Sequence, residues 1–144
     1  MVSYGDIWAD IYDSVHPLTE DIPFWVEEAQ ASGGPVLELA CGTGRVAIPI
    51  AQTGVPVVGL DNSSAMLKVA RVKARKLRLT TSVLRFTRGD MRNFSLGKQR
   101  FPLVIIPFRS FQALLSARNS SVVATYSSYR HSRAARLTFV KRSW

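Results

Sequence analysis

An apolar run that breaks into a Gly-x-Gly turn constrains the fold of this chain more than any other feature. Residues 36–41 read Val-Leu-Glu-Leu-Ala-Cys, Gly42-Thr43-Gly44 follows, and the apolar spacing then becomes helical. Glycine adopts backbone angles that side chains forbid and lets a ligand approach the main chain. The first N–H groups of a helix attract phosphate-bearing ligands. The segment therefore predicts a strand, a nucleotide-type binding loop and a helix that begins near Gly44.

A second apolar run ends in an acidic residue. Residues 55–60 are rich in β-branched side chains and lead into Asp61, 19 positions after Gly42. We expect Asp61 to lie at the carboxyl end of the neighbouring parallel strand, where its oxygens can accept hydrogen bonds from the hydroxyls of a ribose. Because residues 42–47 also fit the dinucleotide pattern G-x-G-x-x-A, NAD is a candidate cofactor beside other adenosine-containing molecules.

Glu38 is the residue that distinguishes between these cofactors. It is a carboxylate inside the first predicted strand, where burying an acidic side chain is costly in free energy unless that side chain has a partner.

Two further apolar segments, residues 82–87 and 103–106, alternate with helical stretches. This order predicts an α/β fold with a parallel, doubly wound, Rossmann-like sheet of four core strands, to which strands from the tail can be added. Pro49 lies in the helix after the loop and is expected to kink it unless it falls in the first turn.

The chain resembles the class I S-adenosylmethionine-dependent methyltransferases, particularly the domains that act on small molecules. Four motifs carry the resemblance in the family's order. They are E-L-A-C-G-T-G-R at residues 38–45, G-L-D-N-S-S-A-M-L at 59–67, R-G-D-M-R at 88–92 and F-P-L-V-I-I-P-F at 101–108. The resemblance covers residues 4–115 and implies S-adenosylmethionine as the cofactor and a small molecule as the methyl acceptor.

The resemblance also implies the residues that bind this cofactor. Asp61 is expected at the ribose, Asp90 at the exocyclic amine of adenine, Glu38 on the methionine side, and Tyr12 closing over the methionine end. The expected set is Tyr12, Glu38, Ala40, Gly42, Gly44, Asp61, Asn62, Met66, Asp90, Met91 and Pro107. The sequence identifies no catalytic residue and no metal ligand, because an activated methyl donor requires only that the acceptor be aligned and desolvated.

The chain departs from the family after its fourth strand. A full methyltransferase of this type continues through three more strands, whereas this chain contains neither proline nor glycine after Pro107. We expect a methyltransferase-like domain over residues 1–115, truncated after the fourth strand, and a basic Ser/Arg-rich tail over residues 116–144. An open fourth strand would attract a partner strand. We expect residues 137–140 or a second chain to cover it, and we favour a homodimer through strand four or the tail.

Composition restricts the setting of the protein. No apolar run in the 144 residues is long enough to cross a bilayer, and the lone Cys41 excludes a disulfide framework, so a soluble, cytoplasmic protein without membrane association is expected. Nine of the ten acidic residues lie in residues 1–66, and eighteen of the nineteen Lys and Arg lie in residues 67–144. Helical spacing predicts a solvated basic face of Lys68, Arg71, Arg75 and Arg78, opposite Leu67, Ala70, Ala74 and Leu77.

Three functions are compatible with these features. The chain is either an active methyltransferase domain, weakened by truncation, or a non-catalytic cofactor-binding fragment that self-associates. A basic nucleic-acid-binding protein is the third reading, because clustered Lys and Arg neutralise phosphate backbones. That reading is not favoured, since the sequence contains no aromatic stacking cluster and no recognisable nucleic-acid-binding module.

Overall fold

The structure, a computed structural model, describes residues 7–107 and the backbone of residues 136–138. The strands are β1 (Val36–Leu39), β2 (Val57–Asp61), β3 (Leu84–Arg88), β4 (Leu103–Ile105) and β5 (Arg136–Thr138). The helices are α1 (Tyr12–Val15), α2 (Ile22–Ser32), α3 (Ala47–Gln52) and α4 (Ser64–Lys76). The strands form one parallel sheet in the order β3-β2-β1-β4-β5, which confirms the predicted α/β fold.

The central strand of this sheet, β1, is hydrogen-bonded to β2 on one side and to β4 on the other, and all its residues are buried. Alternate side chains of a strand point to opposite faces. Leu37 and Leu39 pack on one face with Phe101, and Val36 packs on the other face with residues of α2, α3 and α4. Glu38 shares the parity of Val36, so its carboxylate is directed to the face that these helices cover.

The helix after the glycine loop begins later than the sequence predicts. α3 begins at Ala47, with Val46 at its N-cap position, three residues after the predicted start near Gly44, although the N–H of Ile48 already donates to the carbonyl of Gly44 at 3.0 Å. Residues 42–46 form turns instead, because Gly42 and Gly44 both have positive φ, which an α-helix does not allow. Pro49 therefore lies in the first turn, where backbone N–H groups have no partner inside the helix, and its missing N–H costs little.

The helix between β2 and β3, α4, buries the face that its apolar spacing predicts, except at its C-terminal end. The Oγ of Ser63 caps α4 by accepting a hydrogen bond from the N–H of Met66 at 3.2 Å. One face buries Met66, Leu67, Ala70 and Ala74, and the predicted basic face is exposed. Leu77, expected on the buried face, is 48% exposed because the helix ends one residue before it.

The outer edge of β4 is covered within the same chain. β5 pairs with β4 in parallel, with Val104 opposite Leu137 and Ile105 opposite Thr138. Leu137 and Thr138 belong to the segment expected to cover this edge, whereas residues 139 and 140 lie outside the described residues. No helix in the described ranges combines the length and the apolar character needed to cross a membrane.

Candidate functional site

The glycine loop adopts the left-handed backbone conformation at three positions. Ala40 has φ 54°, Gly42 has φ 55° and Gly44 has φ 81°. A Cβ on Gly44 would lie 3.0 Å from Ile48 and 3.1 Å from Phe86, so packing also requires glycine there. A Cβ on Gly42 would meet no atom within 4 Å, so its open side gives a ligand access to the main chain. Ala40 has a side chain and is strained, as residues at binding sites often are.

Asp61 connects the end of β2 to the glycine loop. Its Oδ2 accepts a hydrogen bond from the N–H of Gly42 at 2.8 Å, and its Oδ1 accepts one from the N–H of Ser63 at 2.8 Å. Both oxygens are thereby fixed in position. Each carboxylate oxygen accepts two hydrogen bonds, so Asp61 retains the capacity to bind the two hydroxyls of a ribose.

A cavity of about 270 Å³ lies beside the loop, at the carboxyl ends of β2 and β3. Its floor is held together by a hydrogen bond from the N–H of Gly89 to the carbonyl of Asp61 at 2.9 Å. The lining residues are Ala40, Leu60, Asp61, Asn62, Gly89, Asp90, Met91 and Arg92. The residues expected at the ribose and the adenine therefore share one cavity, as do their neighbours Asn62 and Met91.

Asp90 is already paired at the rim of this cavity. Its two oxygens accept hydrogen bonds from Nε of Arg92 at 2.9 and 3.0 Å, from Nη2 at 2.5 Å and from the backbone N–H of Arg92 at 2.8 Å. These hydrogen bonds and the charge of Arg92 hold the pKa of Asp90 below its usual value, despite partial burial that acts in the opposite direction. The pairing of Asp90 with Arg92 was not predicted from the sequence.

Glu38 is buried, and its Oε2 has no hydrogen-bond partner among the residues that the structure describes. Burial raises the pKa of Glu38 to about 8, although the charge of Arg45 and a hydrogen bond from the N–H of Ala47 act in the opposite direction. An unpartnered buried carboxylate oxygen is costly. Its position therefore suits a cationic ligand group, such as the ammonium of an amino acid.

Arg45, the last residue of the loop motif, fixes the segment before α2. Its guanidinium binds both oxygens of Asp21 at 2.5 and 2.9 Å and donates to the carbonyl of Leu18 at 2.9 Å. Trp25 also donates to Asp21, at 3.0 Å. Burial raises the pKa of Asp21, but the hydrogen bonds from Arg45 and Trp25 outweigh it and hold the pKa below its usual value.

The residue after Tyr12 makes a second contact between the N-terminal segment and the loop. Asp13 accepts a hydrogen bond from the hydroxyl of Thr43 at 2.6 Å and pairs with Lys73 of α4 at 2.8 Å. The half-buried ring of Tyr12 lies against His16, with ring centroids 4.7 Å apart.

The other expected residues lie outside the cavity lining. Met66 is in the core at the start of α4, and Pro107 is buried after β4. Cys41 is buried, and burial raises the pKa of its thiol well above the usual value, which suits a packing role rather than a nucleophile. Across the described part of the chain, no three His, Cys, Asp or Glu side chains form a group that could hold a metal ion.

Residues 36–131 match a protein-family model described as a methyltransferase domain. The chain belongs to this family. The methyltransferase domain is 30% identical over 123 residues to YqeM of Bacillus subtilis (strain 168), which is named as a candidate methyltransferase, covering 84% of this chain and 47% of that protein. It is 35% identical over 114 residues to the dTDP-3-amino-3,6-dideoxy-alpha-D-glucopyranose N,N-dimethyltransferase of Streptomyces fradiae, covering 74% of this chain and 41% of that protein.

Solved structures of methyltransferases show the same fold. The CcbJ methyltransferase from Streptomyces caelestis is 36% identical with a TM-score of 0.61, covering 74% of this chain and 44% of that one. The glycopeptide N-methyltransferase MtfA, complexed with sinefungin, is 28% identical with a TM-score of 0.62, covering 78% and 45%. The methyltransferase domain thus spans about half the length or less of the curated relatives and solved structures named here.

Asp13 and Asp21 were not predicted as parts of the methyltransferase site. Each contacts a loop residue that is 24 to 30 positions away in the chain, and no local pattern encodes such a pairing. The sequence contained one indication that Arg45 has an acidic partner. Arg45 is the lone basic residue of residues 1–66, among nine acidic residues. An arginine beside a ligand-binding loop is satisfied by an acidic partner, and this region supplied nine candidates.

Proposed function

We propose that this methyltransferase domain binds S-adenosylmethionine and transfers its methyl group to a small molecule. One observation carries the proposal. Asp61 and Asp90 line one cavity at the carboxyl ends of β2 and β3, and the N–H of Gly42 fixes Asp61 against the glycine loop. Parallel α/β sheets bind their ligands at this edge. An adenosine placed here meets an acceptor for its ribose and an acidic residue near its base.

The described residues fit each part of this cofactor. Asp61 accepts hydrogen bonds from the ribose hydroxyls, and the open side of Gly42 admits the ligand to the main chain. The backbone N–H of Met91 and the carboxylate of Asp90 are assigned to the adenine. Glu38 is assigned to the methionine ammonium, because its buried Oε2 has no partner among the described residues. NAD contains no ammonium that could donate to Glu38, because the charged nitrogen of its nicotinamide ring carries no hydrogen.

Methyl transfer requires little chemical participation from the side chains of the protein. S-adenosylmethionine, when bound, supplies a methyl group on a sulfonium that is already activated for attack. The role of the chain is to orient the cofactor, exclude water and align the acceptor, and misalignment by about 1 Å can cost on the order of a hundredfold in rate. Tyr12, beside the loop that ends in Arg45, is assigned to closing the methionine end.

A small-molecule acceptor is supported by the relatives. The Streptomyces fradiae protein is named for methylation of a nucleotide-linked amino sugar, and MtfA is named as a glycopeptide N-methyltransferase. We extend the class of acceptor, and not these particular substrates, to this chain. We place the protein in the cytoplasm, where the reduced thiol of Cys41 is the expected state.

We also propose a homodimer in which β5 is exchanged between two chains. β4 is a short, buried, apolar strand, and β5 supplies its outer hydrogen bonds. The same pairing forms whether β5 belongs to the same chain or to its copy, which is the general basis of domain swapping. Light scattering of the purified chain that gives the mass of a monomer at all concentrations contradicts this proposal.

Calorimetry and a transfer assay together test the proposed function. S-adenosylhomocysteine is expected to bind, and NAD at the same concentration is not. The alternative reading, a non-catalytic cofactor-binding fragment, is separated by incubation with S-adenosylmethionine that carries a radiolabelled methyl group and a panel of amino sugars and phenols. Binding without label transfer supports that alternative. Binding of NAD without any response to S-adenosylhomocysteine overturns the assignment of the cofactor.

A further inference from the structure

The N-terminal segment, residues 7–18, leaves its large aliphatic side chains exposed. Ala9 is its one buried residue. Its large aliphatic side chains point to solvent, with 65% of Ile7, 47% of Ile11 and 50% of Val15 exposed. The apolar burial of this segment therefore comes from Ala9 and the partly buried rings of Trp8, Tyr12 and His16, and its aliphatic side chains add little to it.

Asp13 makes two polar contacts that connect this segment to the site, in addition to the hydrogen bond from Arg45 to the carbonyl of Leu18 at the end of the segment. Asp13 accepts from the hydroxyl of Thr43 with one oxygen and from the ammonium of Lys73 with the other, at 2.6 and 2.8 Å. Thr43 is buried between Gly42 and Gly44, and Lys73 lies on α4, the helix that follows Asp61. We call these two contacts the Asp13 clasp. It joins the segment that carries Tyr12 to the two elements that frame Asp61.

We propose that Asp13 is a positioning residue that couples cofactor binding to the docking of the N-terminal segment. This inference rests on the proposed function. Thr43 can donate to Asp13 only when the loop holds its present conformation, in which Gly42 also donates to Asp61. A ligand that binds Asp61 and stabilises this loop conformation therefore stabilises the clasp. By thermodynamic reciprocity, the clasp strengthens binding of the ligand by the same factor.

The two contacts of the clasp are expected to contribute unequally. The pair with Lys73 is exposed, with 31% and 45% of the two side chains accessible, so water and salt weaken it. The hydrogen bond from Thr43 is shorter and comes from a buried hydroxyl, which loses its acceptor when Asp13 is removed. The hydrogen bond from Thr43 therefore carries most of the coupling. Asparagine at position 13 keeps an acceptor oxygen for it and is the conservative rescue.

The experiment measures two properties of the full chain. Calorimetry gives the affinity for S-adenosylhomocysteine, and hydrogen exchange followed by mass spectrometry gives the protection of amides 8–18 with and without that ligand. The variants are Asp13→Ala, Asp13→Asn, Thr43→Val and the double variant Asp13→Ala with Thr43→Val. Asp10→Ala is the matched control, because Asp10 is an exposed acid of the same segment and its loss changes the net charge equally.

We expect Asp13→Ala and Thr43→Val each to weaken binding about three- to tenfold, and the double variant to weaken it no further than either single change. The ligand should protect amides 8–18 in the unchanged chain and fail to do so in these variants. Asp13→Asn should retain most of the affinity and of the protection, and Asp10→Ala should retain both. Should Asp13→Ala fail to fold by circular dichroism, Thr43→Val, which removes a single hydroxyl, gives the same comparison.

The outcomes separate this inference from the function on which it rests. If the unchanged chain does not bind S-adenosylhomocysteine, the proposed function and the inference both fall. If that chain binds and both Asp13→Ala and Thr43→Val bind equally well with unchanged protection, the clasp is overturned and the function stands. An equal loss in Asp10→Ala also overturns it, because the effect then comes from net charge alone.

Discussion

Arg92 surrounds the carboxylate of Asp90, with Nη2 2.5 Å from Oδ2, Nε within 3.0 Å of both oxygens and the backbone N–H 2.8 Å from Oδ1. Each oxygen thus accepts two hydrogen bonds from a single residue. A carboxylate oxygen has two lone pairs, so the exocyclic amine of an adenine must displace part of this pairing before Asp90 can accept from it. Arg92 therefore competes with the cofactor that the cavity is proposed to bind.

Replacing Arg92 by glutamine is expected to tighten binding of S-adenosylhomocysteine. The pair is exposed, with 53% and 37% of the two side chains accessible, so the gain should be modest, about two- to fivefold at low salt. Added salt screens the pair, so the difference between the two proteins should shrink as ionic strength rises. Titration calorimetry in about 0.02 M and 0.5 M NaCl, well below and above the physiological range of screening, measures both effects.

Lys98→Gln provides the matched control for this prediction, because Lys98 is an exposed cation of the same region and lies outside the cavity lining. Its affinity should equal that of the unchanged chain. Weaker binding in Arg92→Gln, at either salt concentration, contradicts the prediction. Such a result means that the guanidinium contacts the ligand instead of competing with it.

Replacing Asp61 by alanine is expected to weaken binding of S-adenosylhomocysteine more than any other single change. A hydrogen bond to a charged group contributes about 1.5–3 kcal/mol, so the loss should be roughly ten- to a hundredfold. The substitution also leaves the N–H groups of Gly42 and Ser63 without their acceptor. Urea unfolding of the ligand-free proteins should therefore show a loss of stability, which is measured separately from the affinity.

Asp10→Ala, which removes an exposed acid outside the cavity, is the control for both measurements. Its affinity and its unfolding midpoint should match those of the unchanged chain. An Asp61→Ala variant that unfolds at a lower urea concentration but binds with unchanged affinity, at a concentration where it is folded, shows that Asp61 supports the loop without touching the ribose.

Glu38 should make the protein less stable as the pH rises. Its folded pKa is raised to about 8, from an ordinary value of 4.5. Below pH 4.5 both states hold the proton, and between the two values only the folded state does, so the unfolded state binds fewer protons there. The contribution of Glu38 is therefore fully present below the lower value and is lost as the pH rises through the higher one. The slope is at most about 1.4 kcal/mol per pH unit.

Urea unfolding from pH 5 to pH 8 checks this sign. The difference in stability between the unchanged chain and Glu38→Gln should shift in favour of the glutamine variant as the pH rises, because glutamine has no proton to lose. Glu27→Gln, at an exposed position of α2, should show no such shift. A difference that is constant across the range, or that favours the unchanged chain at high pH, contradicts the raised pKa.

The same group predicts a proton signal on binding. At pH 7 Glu38 holds its proton in the absence of ligand, whereas an ammonium beside Oε2 favours the ionised form. Binding of S-adenosylhomocysteine should then release up to one proton, and the affinity should rise with pH up to about 8. Calorimetry in two buffers of different ionisation enthalpy measures this release. Glu38→Gln should release none.

The sequence predicts the scaffold of the site well, because local chemistry determines it. The glycine turn and the acid at the end of β2 each follow from short patterns, and both are present. Ala40 is an exception, since its left-handed conformation is imposed by neighbouring strands and loops and not by its residue type.

The contacts that hold the site together are less accessible to sequence reasoning. The hydrogen bond from Thr43 to Asp13 spans 30 residues, and nothing in either segment specifies the other. Arg92 is only two residues from Asp90, so their pairing was visible in principle. The resemblance implies a ligand contact for Asp90, and the sequence motif does not show that Arg92 folds back onto it. The exposure of Leu77 was missed because spacing does not show where a helix ends.

Deleting residues 117–144 is expected to cause aggregation. The deletion removes β5, which pairs with Leu103, Val104 and Ile105. These three residues are buried and apolar, and without β5 their outer N–H and C=O groups lack partners. Such an edge recruits another strand, and natural proteins normally cover or charge it. Light scattering at increasing protein concentration should show growing particles rather than a single species.

A shorter deletion separates the loss of β5 from the loss of the last two positive charges of the chain. Removing residues 139–144 takes away Lys141 and Arg142 but leaves Arg136–Thr138 in the chain. This variant should scatter light as the unchanged protein does, whether that protein is a monomer or an exchanged dimer. If the chain that ends at residue 116 is instead a stable monomer at high concentration, β4 does not need β5. Such a monomer shows that exposing the edge of β4 does not lead to association.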